Sequence, residues 1–396
     1  MATKLGCVLT GPASGSAQPG APVPNSPDSA ESPARPGPSP ATGGLPQPVR
    51  WLVQAAVRLA RLLLAPSPVT MRRLALAGLL ASAGIILTGA AVRLSQSGLG
   101  CPDWPACTAH SLAAAGTTGS SLLHRWIEFG NRMLTGVILV VAAAVSIAAW
   151  RFRVPGPQGQ PGRRRDLLLL ALAQPAGIVA QAVLGGIVVL TKLDPVWVSV
   201  HFMLSIGLVA LAVALHTRTA AIAAATATPA TAATPAQSTD PGQPTRVRRD
   251  LRFLSMALVA AVTVMLAAGT VVTGTGPLAG ARGVARYHLP QGGVTQLHAD
   301  IGWLLTGITL ALVAGLHFTG APRRPRRLGW AMIGLILAQG AIGYTQYFTG
   351  LPAGLVWVHV TGAILIWITA LRLMFALTGK GPLTTPSKAI KAAVAG

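Results

Sequence analysis

The chain has 396 residues, 52% of them hydrophobic and 10% charged, with a mean hydropathy of +0.57. Apolar runs of about twenty residues recur along it, each long enough to cross a bilayer as a helix, which excludes an ordinary soluble domain. The formal net charge of +22 comes from arginine gathered beside those runs, with no aromatic-interleaved basic groove. That pattern is a topology signal and gives no reason to expect a nucleic-acid partner.

Residues 1–48 are rich in Pro, Gly, Ser and Ala without an apolar period, a composition that predicts disorder and lacks the apolar core of a secretory signal. The stretch 51–64 carries Arg58 and Arg61 among apolar residues, which fits a helix lying at the membrane surface or leading into the first span. Residues 1–73 are therefore expected to be an N-terminal tail. Eight spans follow, at 74–94, 126–150, 167–190, 197–216, 253–274, 295–317, 328–348 and 355–377. They group into a four-helix half over 74–218, an Ala/Thr/Pro linker over 219–250, a second four-helix half over 251–378, and a tail over 379–396. The fold class expected is an all-α integral membrane protein of two bundles.

Arginine decides the orientation. Arg151, Arg153, Arg163, Arg164, Arg165, Arg218, Arg246, Arg248, Arg249, Arg252, Arg323, Arg324, Arg326 and Arg327 lie in loops on one side. Only Arg93, Arg125, Lys192, Arg282 and Arg286 lie in the opposite loops. The excess puts both termini and the linker in the cytoplasm.

One 21-residue stretch occurs twice, Gln181 to His201 and Gln339 to His359. The pairs Gln181/Gln339, Gly185/Gly343, Thr191/Thr349, Leu193/Leu351, Val198/Val356, Val200/Val358 and His201/His359 match without a gap. Such a repeat predicts two halves related by a pseudo-two-fold axis. His124, His201, His298 and His359 fall at or near the starts of alternate spans, at one depth on the outer side. A lone histidine in a bundle is usually a hydrogen-bonded core residue. Two imidazoles facing across a bundle core are instead a common way to fill both axial positions of a haem iron. In the second half His298 and His359 make that pair, with Arg282 and Arg286 in the adjoining loop in reach of propionates. Zinc fits poorly, since no third or fourth ligand accompanies them. His216 and His317, at the opposite ends of their spans, read as interfacial residues near helix C-termini.

The first half is less regular. His201 matches His359, but Asn131 stands where His298 would be expected, and Asn is a poor iron ligand. His124 lies two turns earlier on the same face, about 10 Å away by helical rise. Glu128 sits between them, so His124, Glu128 and Asn131 form one stripe. A carboxylate inside a span is costly unless it is used or paired, so Glu128 is either chemically active or ion-paired to Arg125 or Arg132. The preceding loop reads SGLGCPDWPAC. Cys101 and Cys107, on the outer side, are either bridged or two free thiols.

Thr88 to Cys107 (TGAAVRLSQSGLGCPDWPAC), the EFGNR of 128–132 and the repeated histidines together resemble the haem A synthase family, over about residues 74–377. The resemblance implies an eight-helix oxidoreductase that oxidises a methyl group of haem O to the formyl group of haem A, destined for terminal cytochrome oxidase. It implies that His298 and His359 ligate the iron of a bound haem b that passes electrons, that His201 ligates the substrate haem, that Glu128 is needed for activity, and that Cys101 and Cys107 can form a disulfide. Many relatives have histidine at the position of Asn131. Either His124 replaces it or one face of the substrate haem stays open. The implied partners are haem O and the enzyme supplying it, an electron donor not identified by the sequence, membrane lipid and a second copy of the chain. The implied location is a bacterial plasma membrane. Two other readings remain at this stage: a di-haem b electron carrier acting on quinone, and a haem transporter.

Overall fold

The computed structural model describes residues 46–109, 111–112, 120–155, 161–227 and 249–378. The chain divides into two compact units, residues 1–56 and 57–396. The first, described from residue 46, contains the start of helix α1 (Gln47–Leu64), which covers the expected surface helix. Most of the expected tail, the linker from 228 to 248 and the segment from 379 onward lie outside the described residues.

The second unit holds α2 (Pro68–Leu94), α3 (Ser120–Arg151), α4 (Arg165–Leu190), α5 (Pro195–Ala227), α6 (Arg249–Thr275), α7 (Gln291–Phe318), α8 (Arg323–Phe348) and α9 (Ala353–Thr378). A small antiparallel pair, β1 (Arg153–Pro155) with β2 (Pro161–Arg163), joins α3 to α4. Among the described residues eight helices, α2 to α9, are long and apolar enough to cross a membrane. The eight expected spans are all present. Several helices run further than their apolar cores: α2 begins six residues early because Ser67 caps it, its hydroxyl accepting from the Thr70 amide at 3.1 Å, with Pro68 in the first turn. The largest change is in α5, which continues to Ala227. Residues 219–227, expected to open the linker, are helix. Alanine is the best helix former, and the Thr219 and Thr226 hydroxyls bond back to the preceding turn.

Each half packs as a ring: α2 on α3, α3 on α4, α4 on α5 and α5 on α2, then α6 on α7, α7 on α8, α8 on α9 and α9 on α6. The rings meet where α5 touches α6 and α9 and where α2 touches α9. The largest buried cluster sits around that junction, with Val209, Val213, Leu258, Leu312, Leu316, Met332, Ala370 and Leu373 almost fully enclosed. Two indoles reinforce it, Trp357 Nε1 donating to the Leu87 carbonyl and Trp367 Nε1 to the Ile206 carbonyl, each at 2.9 Å.

The repeat has a structural counterpart in its turns. The Leu193 amide returns to the Val188 carbonyl and the Leu351 amide to the Gln346 carbonyl, closing both helices in the same six-to-one motif. Leu193 and Leu351 have φ of 61° and 59°, uncommon for leucine and shared by both copies. A proline follows each turn, Pro195 and Pro352, and ends the loop. Pro175, inside α4, leaves the Ala171 carbonyl without its helical donor. The Ser146 hydroxyl on α3 reaches that carbonyl at 2.9 Å, which satisfies it where no water is present.

Candidate functional site

The second half brings together the two histidines expected to pair. His298 is in the third turn of α7 and His359 in the second turn of α9, and their ring centroids are 6.4 Å apart with planes tilted by 59°. An imidazole nitrogen binds a metal at roughly 2.0 Å and half a ring adds about 1.1 Å, so two imidazoles on opposite sides of one iron would have centroids about 6.2 Å apart. The observed separation fits that donor pair. Both Nδ1 atoms are buried without a hydrogen-bond partner, as is that of His201. Among the described residues no group of three His, Cys, Asp or Glu side chains gathers to hold a metal ion.

Each of the three rings rests against a glycine. A Cβ added at Gly269 would lie 3.3 Å from His298 Cε1, and one at Gly343 or Gly185 would lie 3.4 Å from Cε1 of His359 or His201. The neighbouring helix thus packs closely against the edge of each imidazole. The turns carrying His201 and His359 are also held from the helix that bears the glycine. Gln181 Nε2 donates to the His201 carbonyl at 3.0 Å and also to Ser205 Oγ, while Gln339 Nε2 donates to the His359 carbonyl at 2.7 Å. These two glutamines were visible in the sequence as matched repeat positions but carried no assigned role there.

In the first half the position facing α2 differs. Asn131 accepts from the Thr88 hydroxyl at 2.7 Å, so its side chain is tied to α2. A Cβ at Gly89, next to Thr88, would meet nothing within 4 Å, whereas Gly269 touches a histidine ring. Among the described residues no hydrogen bond or ring contact joins His201 to Asn131 or to His124. The His124 side chain has no such partner among the described residues, and its carbonyl lies against Gly100 of the loop between α2 and α3.

That loop is closed by a Cys101–Cys107 disulfide, so the two thiols are bridged. Glu128 is 6% exposed and sits directly beneath it. Its Oε2 accepts from the Cys101 amide at 2.8 Å and its Oε1 from Arg132 Nη2 at 2.7 Å. Arg132 in turn donates to the carbonyls of Cys101 at 2.7 Å, Asp103 at 2.8 Å and Ala106 at 3.1 Å. Of the two arginines considered as partners, Arg132 is the one that pairs with Glu128. The pair makes four hydrogen bonds to the backbone of the seven-residue loop, at Cys101 N and at the Cys101, Asp103 and Ala106 carbonyls. The loop also fits α3 and α4 closely. A Cβ at Gly100 would come within 2.5 Å of the His124 carbonyl oxygen, and one at Gly186 within 2.5 Å of the Trp104 ring. Gly186 follows Gly185, the residue against His201, so the loop's indole and the first-half imidazole lean on adjacent positions of α4.

Three further contacts tie the loops of the two halves at this end of the bundle. Arg93, counted in the sequence as a loop charge, lies in the last turn of α2 and donates from Nε to the Leu278 carbonyl at 3.0 Å. The Gly98 amide bonds to the Gly280 carbonyl at 2.9 Å. The Tyr287 hydroxyl donates to the Pro195 carbonyl at 3.0 Å. No periodicity could have revealed these, because each pairs residues more than ninety positions apart. Arg282 and Arg286 are exposed in the loop between α6 and α7. His317 caps the last turn of α7, with Nδ1 at 2.8 Å from the Val313 carbonyl and Nε2 accepting from Trp330. His216 is a correction. It is 6% exposed and, since α5 runs on to Ala227, it is not near a helix C-terminus.

Comparison with known proteins bears on the whole of this region. The family model COX15-CtaA, described as cytochrome oxidase assembly protein, matches residues 72–371. The chain is 24% identical over 350 residues to a heme A synthase of Shewanella oneidensis, covering 76% of this chain and 94% of that one. It is 32% identical over 146 residues to a heme A synthase of Geobacillus kaustophilus, covering 36% of this chain and 42% of that one.

Proposed function

Because the chain belongs to the COX15-CtaA family of cytochrome oxidase assembly proteins, we propose that it is an oxidoreductase of haem A biosynthesis that converts the ring methyl of haem O to the formyl group of haem A. The observation carrying this reading is the buried Glu128 beneath a disulfide-closed loop, in a half whose histidine lacks an imidazole partner, beside a half that has a complete imidazole pair. An electron carrier with two equivalent haems has no use for that asymmetry.

His298 and His359 would hold a haem b, and that group supplies one-electron transfer when bound. His201 would bind the iron of the substrate haem from one side. Asn131, held by Thr88, leaves the other side open for an oxidant, since it brings no imidazole there. Turning R–CH3 into R–CHO would take two successive two-electron oxidations and one oxygen atom, net R–CH3 + H2O → R–CHO + 4 H+ + 4 e−, with the electrons passing to an external oxidant such as O2. Glu128, buried beneath the loop, is suited to accept or relay a proton, with Arg132 fixing its orientation. Gln181 and Gly185 position His201 by holding its turn and bordering its ring. The repeated frames support a pseudo-two-fold relation between the halves. The arginine distribution supports cytoplasmic termini and haem sites toward the outer side of a bacterial plasma membrane.

The test is haem extraction and chromatography from cells that make this protein beside a source of haem O. Haem A that appears with the intact chain and disappears with Glu128→Gln supports the proposal. Haem b alone, with haem O untouched, sinks it and favours the electron carrier.

A further inference from the structure

The end of the bundle opposite the disulfide loop carries a second polar cluster that the haem chemistry does not use. Arg72 lies near the start of α2, Arg324 at the start of α8, and Arg372 in the closing turns of α9. His216, on α5, is within electrostatic range of all three guanidinium groups, and Arg372 is within range of the other two. Among the described residues none of the three arginines has a carboxylate at salt-bridge distance. Asp166, a carboxylate from the same end of the bundle, is already taken by Arg164 and Arg218 at 2.9 and 3.2 Å.

The cluster is more than a solvated basic surface. His216 is 6% exposed and its Nε2 is buried without a partner. Arg372 Nε is likewise buried and unpartnered. Leaving such atoms unsatisfied is costly, and bringing like charges together adds to that cost. Every term is relieved by one occupant, a compact anion with several acceptor oxygens. Arginine forks match phosphate oxygens in both charge and geometry.

We propose that Arg72, Arg324, Arg372 and His216 form a binding site for a phosphate group, carried by the headgroup of an anionic phospholipid or by soluble phosphate. Basic recesses between transmembrane helices take lipid headgroups in this way. Arg324 is exposed and reachable from the headgroup layer, while His216 and Arg372 form the floor. The site would couple the rings, because α2 and α5 come from one half and α8 and α9 from the other. The proposal is independent of the haem reading.

The experiment uses the detergent-purified full chain. Retention of phosphatidylglycerol is compared with that of phosphatidylcholine by native mass spectrometry. Thermal unfolding is followed with inorganic phosphate against chloride at matched ionic strength. The variants are Arg324→Gln, an exposed position that folding tolerates, and Arg372→Gln. Preferential retention of phosphatidylglycerol, weakened about fivefold by Arg324→Gln, assigns the site to lipid. Stabilisation by inorganic phosphate that is lost in the variant, without a lipid preference, assigns it to a soluble phosphate. If neither ligand distinguishes the intact chain from Arg324→Gln, the proposal is wrong, whether or not Arg372→Gln folds.

Discussion

The two halves use one device and complete it differently. In both, a glutamine on the preceding helix holds the carbonyl of a histidine and a glycine borders its ring. In the second half α7 supplies a facing imidazole, His298, packed on Gly269. In the first half α3 supplies Asn131 instead, tied to Thr88, and a buried Glu128 under a closed loop. Under the proposed function the duplicated frame would place a haem in each half, and the residue opposite the shared histidine, together with the closed loop, would separate a substrate site from a resident one.

The largest effect should come from removing the complete pair. His298→Ala or His359→Ala should lower the bound haem b by more than about tenfold, read as loss of the low-spin absorption of the purified protein. Retention of that spectrum in both variants would mean the 6.4 Å pair holds nothing. Next is Glu128→Gln. Breaking a buried charge pair typically costs about 3–5 kcal/mol, and here it also frees the loop that Arg132 holds. Haem A output should vanish while haem b stays, and the Cys101–Cys107 bridge should be reduced faster by a soluble thiol. Unchanged haem A output would return Glu128 to a purely structural role.

Asn131→His tests the comparison from the other side. It should give the first half a facing imidazole, so that the protein with substrate haem shows a second bis-histidine spectrum and makes less haem A. No new spectrum would mean that the first-half frame does not bring position 131 opposite His201. The smallest expected effect separates the two glutamines. Gln181 holds both the His201 carbonyl and Ser205, and Gln339 holds the His359 carbonyl. Each hydrogen bond is worth about 1 kcal/mol net, so Gln181→Leu should lower the thermal midpoint more than Gln339→Leu. Equal shifts would place Ser205 outside the device.

Much of this was legible in the residues, for physical reasons. A bilayer demands long apolar runs, so the eight helices could be read with only their ends misjudged; Ser67 and the alanines of 219–227 extended them by local capping and propensity. The repeat could be read because two copies of one packing problem keep the same Gln, Gly, Leu and His in register. The pairing of His298 with His359 followed from equal depth on alternate helices, which face each other across the four-helix ring. What only the tertiary structure decided were contacts between distant segments. It chose Arg132 over Arg125 for Glu128, since only a side chain one turn further in reaches three carbonyls of a closed loop. It moved His216 from a helix end to a buried position among arginines, since charge density along a chain does not reveal which helices bring charges together. It joined Arg93 to Leu278 and Gly98 to Gly280, since a backbone carbonyl has no signature in sequence and becomes a partner only where folding places it.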